Sequence, residues 1–240
     1  MNNINTVHIS SQGKGGVGKS LVASLVCQYL QDAGEAVTAF DTDPTNATLT
    51  QFAALDATHI DVTHGTEVDL SKFHHLVECI ATGAGPFVVD TGATIFLSFW
   101  NYVGQTGLIR FLEEEHGKKV IVHVPIMGGQ ELPETLKGFQ AMALMLPPSS
   151  IVVWLNSFHG PVEVDGKTFP EFQVAKGNCD RVLGLVRLGD ERGTVCGKAM
   201  SKMCTNYQTF GEAMAKSELM ERHLLHSIRK GIWEQLKPIL

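Results

Sequence analysis

Ser11-Gln12-Gly13-Lys14-Gly15-Gly16-Val17-Gly18-Lys19-Ser20 is the stretch that decides the fold. It fits the phosphate-cradling pattern G-x-x-x-x-G-K-[ST], whose fixed positions fall on Gly13, Gly18, Lys19 and Ser20. The residues before it, 6–10, predict a short buried strand, and those after it, 21–32, predict an amphipathic helix. Because the pattern requires a strand before it and a helix after it, it predicts a phosphate-binding loop rather than a plain glycine-rich turn.

Each residue type in the loop has a physical task. Glycines let the backbone N–H groups of residues 15–18 converge on phosphate oxygens, and the positive end of the following helix adds to the attraction. Lys19 is expected to reach the β- and γ-phosphates, and Ser20 to supply a hydroxyl oxygen to Mg²⁺. The predicted nucleotide-binding residues are Gly13, Gly15, Gly16, Val17, Gly18, Lys19, Ser20 and Leu21.

Lys14 is a second lysine inside the loop, and the string Lys-Gly-Gly-x-Gly-Lys-Ser resembles the deviant phosphate loop of the ParA/MinD ATPases. The resemblance implies ATP and Mg²⁺ as cofactors and an ATP-dependent homodimer that encloses two nucleotides. It also implies that Lys14 acts in trans, on the nucleotide of the partner subunit. A lysine in such a loop can equally be a solvated side chain without a partner.

A second predicted strand, residues 36–40, ends in Asp41-Thr42-Asp43-Pro44, which is similar to the Asp-x-Asp-Pro switch of ParA. By resemblance, Asp43 would orient the attacking water and Asp41 would support the magnesium shell. Taken alone, Asp43-Pro44 is also a common way to start a turn.

A third predicted strand, residues 86–90, is apolar up to Asp90, which by resemblance would accept a hydrogen bond from magnesium-bound water. Thr91-Gly92 replaces the proline-rich step that ParA proteins usually have there, which leaves open a binding module with an inactive site. An aspartate at the end of a strand is otherwise an ordinary cap or turn residue.

Two more apolar strands are predicted, one at residues 119–124 before Pro125 and one at residues 151–155 before Asn156. In the family the asparagine after the later strand pairs with the adenine edge, which makes Asn156 a candidate for base recognition. A turn-forming asparagine is the alternative.

The 240 residues, 44% of them apolar, predict one compact α/β domain over residues 1–240. We expect a doubly wound, mostly parallel sheet with helices on both faces and the nucleotide at the carboxyl ends of the strands. Residues 158–178 depart from the family pattern and predict an inserted hairpin around Val164-Asp165-Gly166-Lys167. No apolar run is long enough to span a membrane, so we expect a cytoplasmic protein. The five cysteines and ten histidines lack metal-ligand spacing and predict surface or core roles.

The formal net charge is −6, yet residues 196–240 hold seven Lys/Arg against four Asp/Glu. ParA proteins bind DNA without sequence preference through basic residues, and phosphate neutralisation would explain such binding. The candidates, each of which can equally belong to a solvated helix face, are Lys198, Lys202, Arg222, Arg229 and Lys230.

The last predicted helix repeats Leu224, Ile228, Ile232 and Leu236 every four residues. This period favours packing against the sheet. A membrane-binding amphipathic helix, as at the end of MinD, stays open as the alternative.

Within the family the chain resembles most the plasmid conjugation and stability ATPases of the TraL and StbB type. The resemblance implies a slow ATPase whose dimeric state controls attachment to DNA, to a partner protein of transfer or partition, or to a surface. The alternative is a small-molecule kinase or an ATP-dependent ligase similar to dethiobiotin synthetase, because one fold hosts several functions.

Overall fold

The computed structural model describes residues 5–65, 67–189 and 193–240. The strands in chain order are β1 (Thr6–Ser10), β2 (Thr38–Asp41), β3 (Thr58–His59), β4 (Thr63–His64), β5 (Glu67–Val68), β6 (Phe87–Asp90), β7 (Lys119–Met127), β8 (Ile151–Asn156), β9 (Glu163–Val164), β10 (Lys167–Thr168) and β11 (Val182–Leu188). The helices are α1 (Lys19–Asp32), α2 (Lys72–Thr82), α3 (Phe96–Thr106), α4 (Leu108–Arg110), α5 (Leu132–Ala143), α6 (Gln173–Lys176), α7 (Val195–Thr205), α8 (Phe210–Lys216) and α9 (Leu219–Leu236).

Seven strands form one parallel sheet in the order β11-β8-β7-β1-β6-β2-β3. The central strands β1, β6 and β8 are buried along their whole length, as expected for a parallel sheet covered on both faces. One face packs against α2, α3 and α5, and the other packs against α1, α7, α8 and α9. The predicted doubly wound sheet is confirmed.

The crevice for a ligand follows from this topology. The loop after β1 leads into α1 on one face, whereas the loop after the neighbouring β7 leads into α5 on the other face. Adjacent strands whose loops part to opposite faces leave a crevice at their carboxyl ends, where open α/β sheets bind ligands.

The predicted end of β7 at Pro125 is wrong, because the strand continues to Met127 and Pro125 pairs with Trp154 of β8. His123 accepts a hydrogen bond from the backbone N–H of Ser11, so Pro125, two residues on, faces the same side. The paired part of β1 has already ended at Ser10, so the ladder does not need a donor at Pro125.

Two smaller expectations are confirmed. β9 and β10 form an antiparallel hairpin, and Asp165 and Gly166 at its tip have φ angles of 51° and 72°, as a two-residue hairpin turn requires. α9 packs against the sheet through the buried side chains of Ile232 and Leu236.

No helix of the described part of the chain is both long enough and apolar enough to cross a membrane. The cytoplasmic location stays a prediction.

A chain of hydrogen bonds crosses three central strands inside the core. The Trp154 indole N–H donates to Nδ1 of His123 at 2.9 Å, and Nε2 of His123 lies 3.0 Å from Nδ1 of His8. Nε2 of His8 in turn lies 3.0 Å from the Thr6 hydroxyl oxygen. Because the indole can only donate, the tautomers are fixed in order: His123 donates to His8, and His8 donates to Thr6.

Candidate functional site

The loop between β1 and α1 has the geometry of a phosphate cradle. Gly16 and Gly18 have φ angles of 75° and 100°, which side-chain-bearing residues rarely adopt. Gly18 is the N-cap of α1, no side chain caps this helix, and its first turn has no acidic residue. The N–H groups at the start of α1 are therefore available to an anion.

Lys19 is buried, with 7% of its surface exposed, and its Nζ donates to the backbone carbonyl of Lys14 at 3.2 Å. Burial lowers the pKa of Lys19, and the carboxylates of Asp90 and Asp43 oppose this shift. The Ser10 hydroxyl donates to the carbonyl of Lys19 at 2.8 Å and fixes the start of the helix. The ammonium thus points back into the loop, where phosphates would lie.

Asp90 ends β6 beside Lys19 and is 1% exposed. Neither of its carboxylate oxygens has a hydrogen-bond partner among the described residues. Burial raises the pKa of Asp90, the neighbouring Asp41 adds to the increase, and the Ser20 hydroxyl and Lys19 oppose it. A buried carboxylate without donors next to a hydroxyl is a set of hard oxygen ligands that fits Mg²⁺ or its bound water.

Asp41 lies beside Asp90 in the register of β2 and β6, but its carboxylate is fully engaged. Its Oδ1 accepts from the N–H of Asp43 at 3.0 Å, and its Oδ2 accepts from the N–H groups of Leu49 and Thr50 at 2.8 and 3.3 Å. Burial raises the pKa of Asp41, and these hydrogen bonds oppose the shift. Asp41 therefore organises the loop after β2, and the metal role predicted for it stays a prediction.

Asp43 is half-buried at the start of that loop. Its Oδ1 accepts from the N–H groups of Thr45 and Asn46 at 2.9 and 3.1 Å and from the Thr45 hydroxyl at 2.8 Å. The turn-forming alternative is therefore observed, and the Asp43 carboxylate also interacts electrostatically with Lys19. A Cβ at Gly92 would lie 2.8 Å from Cγ of Asp43, so the unusual Thr91-Gly92 step lets the two loops touch.

Lys14 forms an ion pair within its own chain, since its Nζ lies 2.9 Å from Oε2 of Glu131. Glu131 raises the pKa of Lys14 through this hydrogen bond and its charge. Lys14 therefore has an ion-pair partner in its own chain while its side chain stays 40% exposed, and the solvated-lysine alternative stays open. Its predicted role in trans stays a prediction.

A cavity of about 510 Å³ opens beside the loop, between the ends of β8 and β11 and the helices α7 and α9. Asn156 lines it, and its Nδ2 donates to the carbonyl of Val17 at 3.2 Å while its Oδ1 accepts from the N–H of Phe158 at 3.1 Å. Asn156 therefore makes the turn contact that the alternative describes. It also lies on the cavity wall, where a base would be recognised. The other lining residues include Gly16, Gly18, Leu21, Met127, Leu188 and Met200.

Sequence reasoning missed the contacts of two residues that shape the loop. Gln12 is fully buried, and its Nε2 donates to the carbonyls of Pro125 and Thr135 at 3.0 Å each. Thr91 donates from its hydroxyl to the carbonyl of Ser10 at 3.0 Å. The only signal for the second contact was the departure from the family pattern at Thr91-Gly92, and nothing local signalled the first.

The basic candidates near the chain end are mostly engaged in internal contacts. Lys202 pairs with Glu221 at 2.8 Å, Arg229 with Asp32 at 3.4 Å and Lys230 with Glu234 at 3.7 Å. Arg222 donates to the carbonyls of Met214 and Ser217. Lys198 is exposed on α7.

The fold superposes on two solved structures. The chain superposes on a plasmid partition protein from Borrelia burgdorferi B31 bound to AMPPNP with a TM-score of 0.56, at 15% identity and covering 98% and 99% of the two chains. It superposes on MinD from Pyrococcus horikoshii OT3 in complex with Mg-ADP with a TM-score of 0.53, at 14% identity and covering 94% of each chain. At these identities the likeness shows the fold alone.

Comparison of sequences is more specific. The chain is 35% identical to a protein TraL of Escherichia coli over 233 residues, which cover 96% of each chain. A second Escherichia coli TraL is 33% identical over 234 residues, covering 96% of this chain and 97% of that one. The family model described as the CobQ/CobB/MinD/ParA nucleotide binding domain matches residues 9–217. The chain therefore belongs to the CobQ/CobB/MinD/ParA family of nucleotide-binding domains, as a relative of TraL.

Proposed function

We propose that residues 1–240 form one ATPase domain that acts as a nucleotide-dependent switch in plasmid transfer or maintenance. One observation carries this proposal. Three features lie at one edge of the sheet: the glycine-rich loop that leads into the α1 N-terminus without a side-chain cap, the buried Lys19, and the Asp90 carboxylate without a hydrogen-bond partner among the described residues. A triphosphate supplies negative charge for the loop and for Lys19. The near full-length similarity to TraL supports the link to plasmids.

The nucleotide would be divided between two surfaces. The N–H groups of Gly15, Gly16 and Gly18 would hold the phosphates, and Lys19 would leave the Lys14 carbonyl to reach them. The base and ribose would enter the cavity beside Asn156. Ser20 and Asp90 would hold Mg²⁺, which supplies charge neutralisation on the phosphates when it is bound.

Hydrolysis would use Asp43. Its carboxylate follows β2, which β6 separates from β1, and would orient the attacking water once its contacts to Thr45 and Asn46 loosen. Lys14 of a second subunit would add positive charge where the transferred phosphoryl group becomes more negative. The ATP-bound pair is the active state of the switch, and hydrolysis separates it.

The switch would control binding to a partner protein of plasmid transfer or partition. Non-specific DNA binding through the last helices is less well supported, because Lys202, Arg229 and Lys230 already pair with carboxylates of the same chain. Membrane contact by α9 would require Ile232 and Leu236 to leave the core.

Release of inorganic phosphate from Mg-ATP by the purified chain, without any second substrate, tests this function. We expect slow, continuous turnover and a loss of about 10²-fold in Asp43→Ala, with binding of a fluorescent ATP analogue retained. Glu78→Ala, which changes an exposed carboxylate on α2, is the control and should keep the wild-type rate. Turnover only after addition of a small phosphate or carboxylate acceptor would instead indicate the kinase or ligase class.

A further inference from the structure

Glu131 places the loop lysine Lys14 in a defined intrachain contact. The two charged groups are 2.9 Å apart, with side chains 40% and 30% exposed for Lys14 and Glu131. Glu131 is the N-cap residue of α5, and its carbonyl accepts from the Thr135 hydroxyl at 3.1 Å, so its backbone belongs to the helix. The carboxylate thus projects from a rigid element rather than from a loose loop.

α5 is itself fixed against the phosphate loop. Gln12 bridges the two elements, because its Nε2 donates to the carbonyl of Thr135 while its Oε1 accepts from the N–H of Gly13 at 2.9 Å. Gly138 makes this approach possible, since a Cβ there would lie 1.7 Å from Oε1 of Gln12. The position of Glu131 relative to Lys14 is therefore set by the packing of a helix on the loop.

The second lysine of the motif is tied to the first. Lys19 donates to the backbone carbonyl of Lys14, so both lysines hold the loop in one closed arrangement. A nucleotide that draws Lys19 toward its phosphates would remove this hydrogen bond and free the backbone of Lys14. The loop can then move while the Lys14–Glu131 pair is the remaining restraint.

We propose that Glu131 is an intrachain latch that holds Lys14 away from a second subunit, and that ATP binding loosens the latch by drawing Lys19 off the Lys14 carbonyl. This proposal rests on the proposed function, because it regulates the same lysine. Each subunit would open one latch when the ATP-bound dimer forms. The free subunit would be kept from pairing before it has bound nucleotide.

The dissociation constant of the Mg-ATP dimer, measured by sedimentation velocity at low ionic strength, tests the latch in Glu131→Gln. We expect dimers to form at roughly 3- to 10-fold lower concentration than in the wild type, in keeping with the modest strength of half-exposed ion pairs. Glu78→Gln is the control, since Glu78 is an exposed carboxylate on α2, whereas the charge of Glu134 also attracts Lys14. It should leave the constant within about twofold, and the effect of Glu131→Gln should shrink at 1 M salt, where the Debye length is about 3 Å.

A second measurement reads the latch without any dimer. In the nucleotide-free chain, labelling of Lys14 by an amine-reactive reagent, followed by mass spectrometry, should be several-fold faster in Glu131→Gln than in the wild type. Labelling of Lys137 serves as the internal reference, because its partner Glu134 is unchanged. Equal labelling of Lys14 in both proteins would overturn the latch.

The outcomes separate this proposal from the function itself. A wild-type dimer whose constant is unchanged in Glu131→Gln means that the pair is only a solvated contact. A weaker dimer in Glu131→Gln means that Glu131 acts across the interface. Either result overturns the latch proposal and leaves the proposed switch standing. Absence of an ATP-dependent dimer in all variants overturns the proposed switch as well.

Discussion

Asp41 and Asp90 lie side by side where two neighbouring strands end, yet their surroundings differ in kind. Three backbone N–H groups converge on the carboxylate of Asp41 and offset part of the cost of burying it as an anion. Neither carboxylate oxygen of Asp90 has a hydrogen-bond partner among the described residues, and the charged or polar groups that act on it are Lys19, Ser20, Asp41 and Asp43. The carboxylate of Asp41 is thus used by the fold, whereas the oxygens of Asp90 remain available to bind a ligand.

The same substitution at the two sites is expected to change stability in opposite directions. Without nucleotide, Asp90→Asn should increase the free energy of unfolding by about 1–3 kcal/mol, because Asp90, whose pKa burial raises to about 8, must take up a proton or bury an unpaired charge on folding, whereas asparagine is neutral in both states. Asp41→Asn should decrease it by a similar amount, because three N–H groups lose a charged acceptor. Urea unfolding at pH 7.5 measures both, and a loss of stability in Asp90→Asn equal to that of Asp41→Asn would contradict the assignment.

The central strands β1, β7 and β8 are joined through side chains as well as through their backbones. The ordered hydrogen bonds from Trp154 through His123 and His8 to Thr6 require both imidazoles to be neutral, since a proton on Nδ1 of His123 would face the indole N–H. Burial lowers the pKa of His8 to about 3, and burial followed by the charge of His8 lowers the pKa of His123 well below its usual value.

This network predicts loss of stability in mild acid. Both folded-state pKa values lie below the unfolded value of about 6.5, so the unfolded chain binds more protons, and the stability present above pH 6.5 is lost as the pH falls. Between pH 7.5 and 5.5 the free energy of unfolding should fall by about 2.7 kcal/mol from the two histidines together. Urea titrations at several pH values measure this slope in the Asp90→Asn background, because the pKa of Asp90, which burial raises to about 8, gives the opposite pH dependence in the same window.

A variant series isolates the contribution of the network. In the Asp90→Asn background, His8→Gln should remove about half of the pH-dependent loss, whereas His226→Gln, at an exposed position on α9, should leave the loss unchanged. A slope that is unchanged in His8→Gln would show that the buried histidines are not its source.

The sequence predicts those elements that are determined by neighbouring residues. It does not predict contacts between residues that are far apart in the chain. Runs of apolar residues before the loop, before Asp41 and before Asp90 predicted the strands, because buried parallel strands need no polar face. The sequence predicts a strand end at Pro125, but β7 continues through it. A proline is allowed there because the pairing with β1 has already ended and no backbone donor is needed. The contacts of Gln12 with Thr135 and of His8 with His123 join residues 123 and 115 positions apart, and no local pattern predicts them.

At the scale of the whole molecule, one edge of the sheet collects the loops that follow β1, β2, β6, β7 and β8. The strand ends, the loops and the starts of the next helices at this edge carry, in the same order, Lys19, Asp43, Asp90, Glu131 and Asn156. The motif positions in the first three loops were predictable from sequence, whereas the partner of Lys14 was not, because it lies beyond the seventh strand. We infer that nucleotide bound at this edge controls the pairing of two subunits.

Solution mass by light scattering, with Mg-ADP and then with Mg-ATP, tests that claim most directly. We expect about 26.1 kDa with ADP and about twice that mass with ATP, a longer-lived dimer in Asp43→Ala and no dimer in Lys14→Ala. Lys137→Ala, which removes an exposed lysine on α5 that pairs with Glu134, should dimerise as the wild type does. A mass that is the same with ADP and ATP, or a Lys14→Ala chain that dimerises normally, would contradict the account.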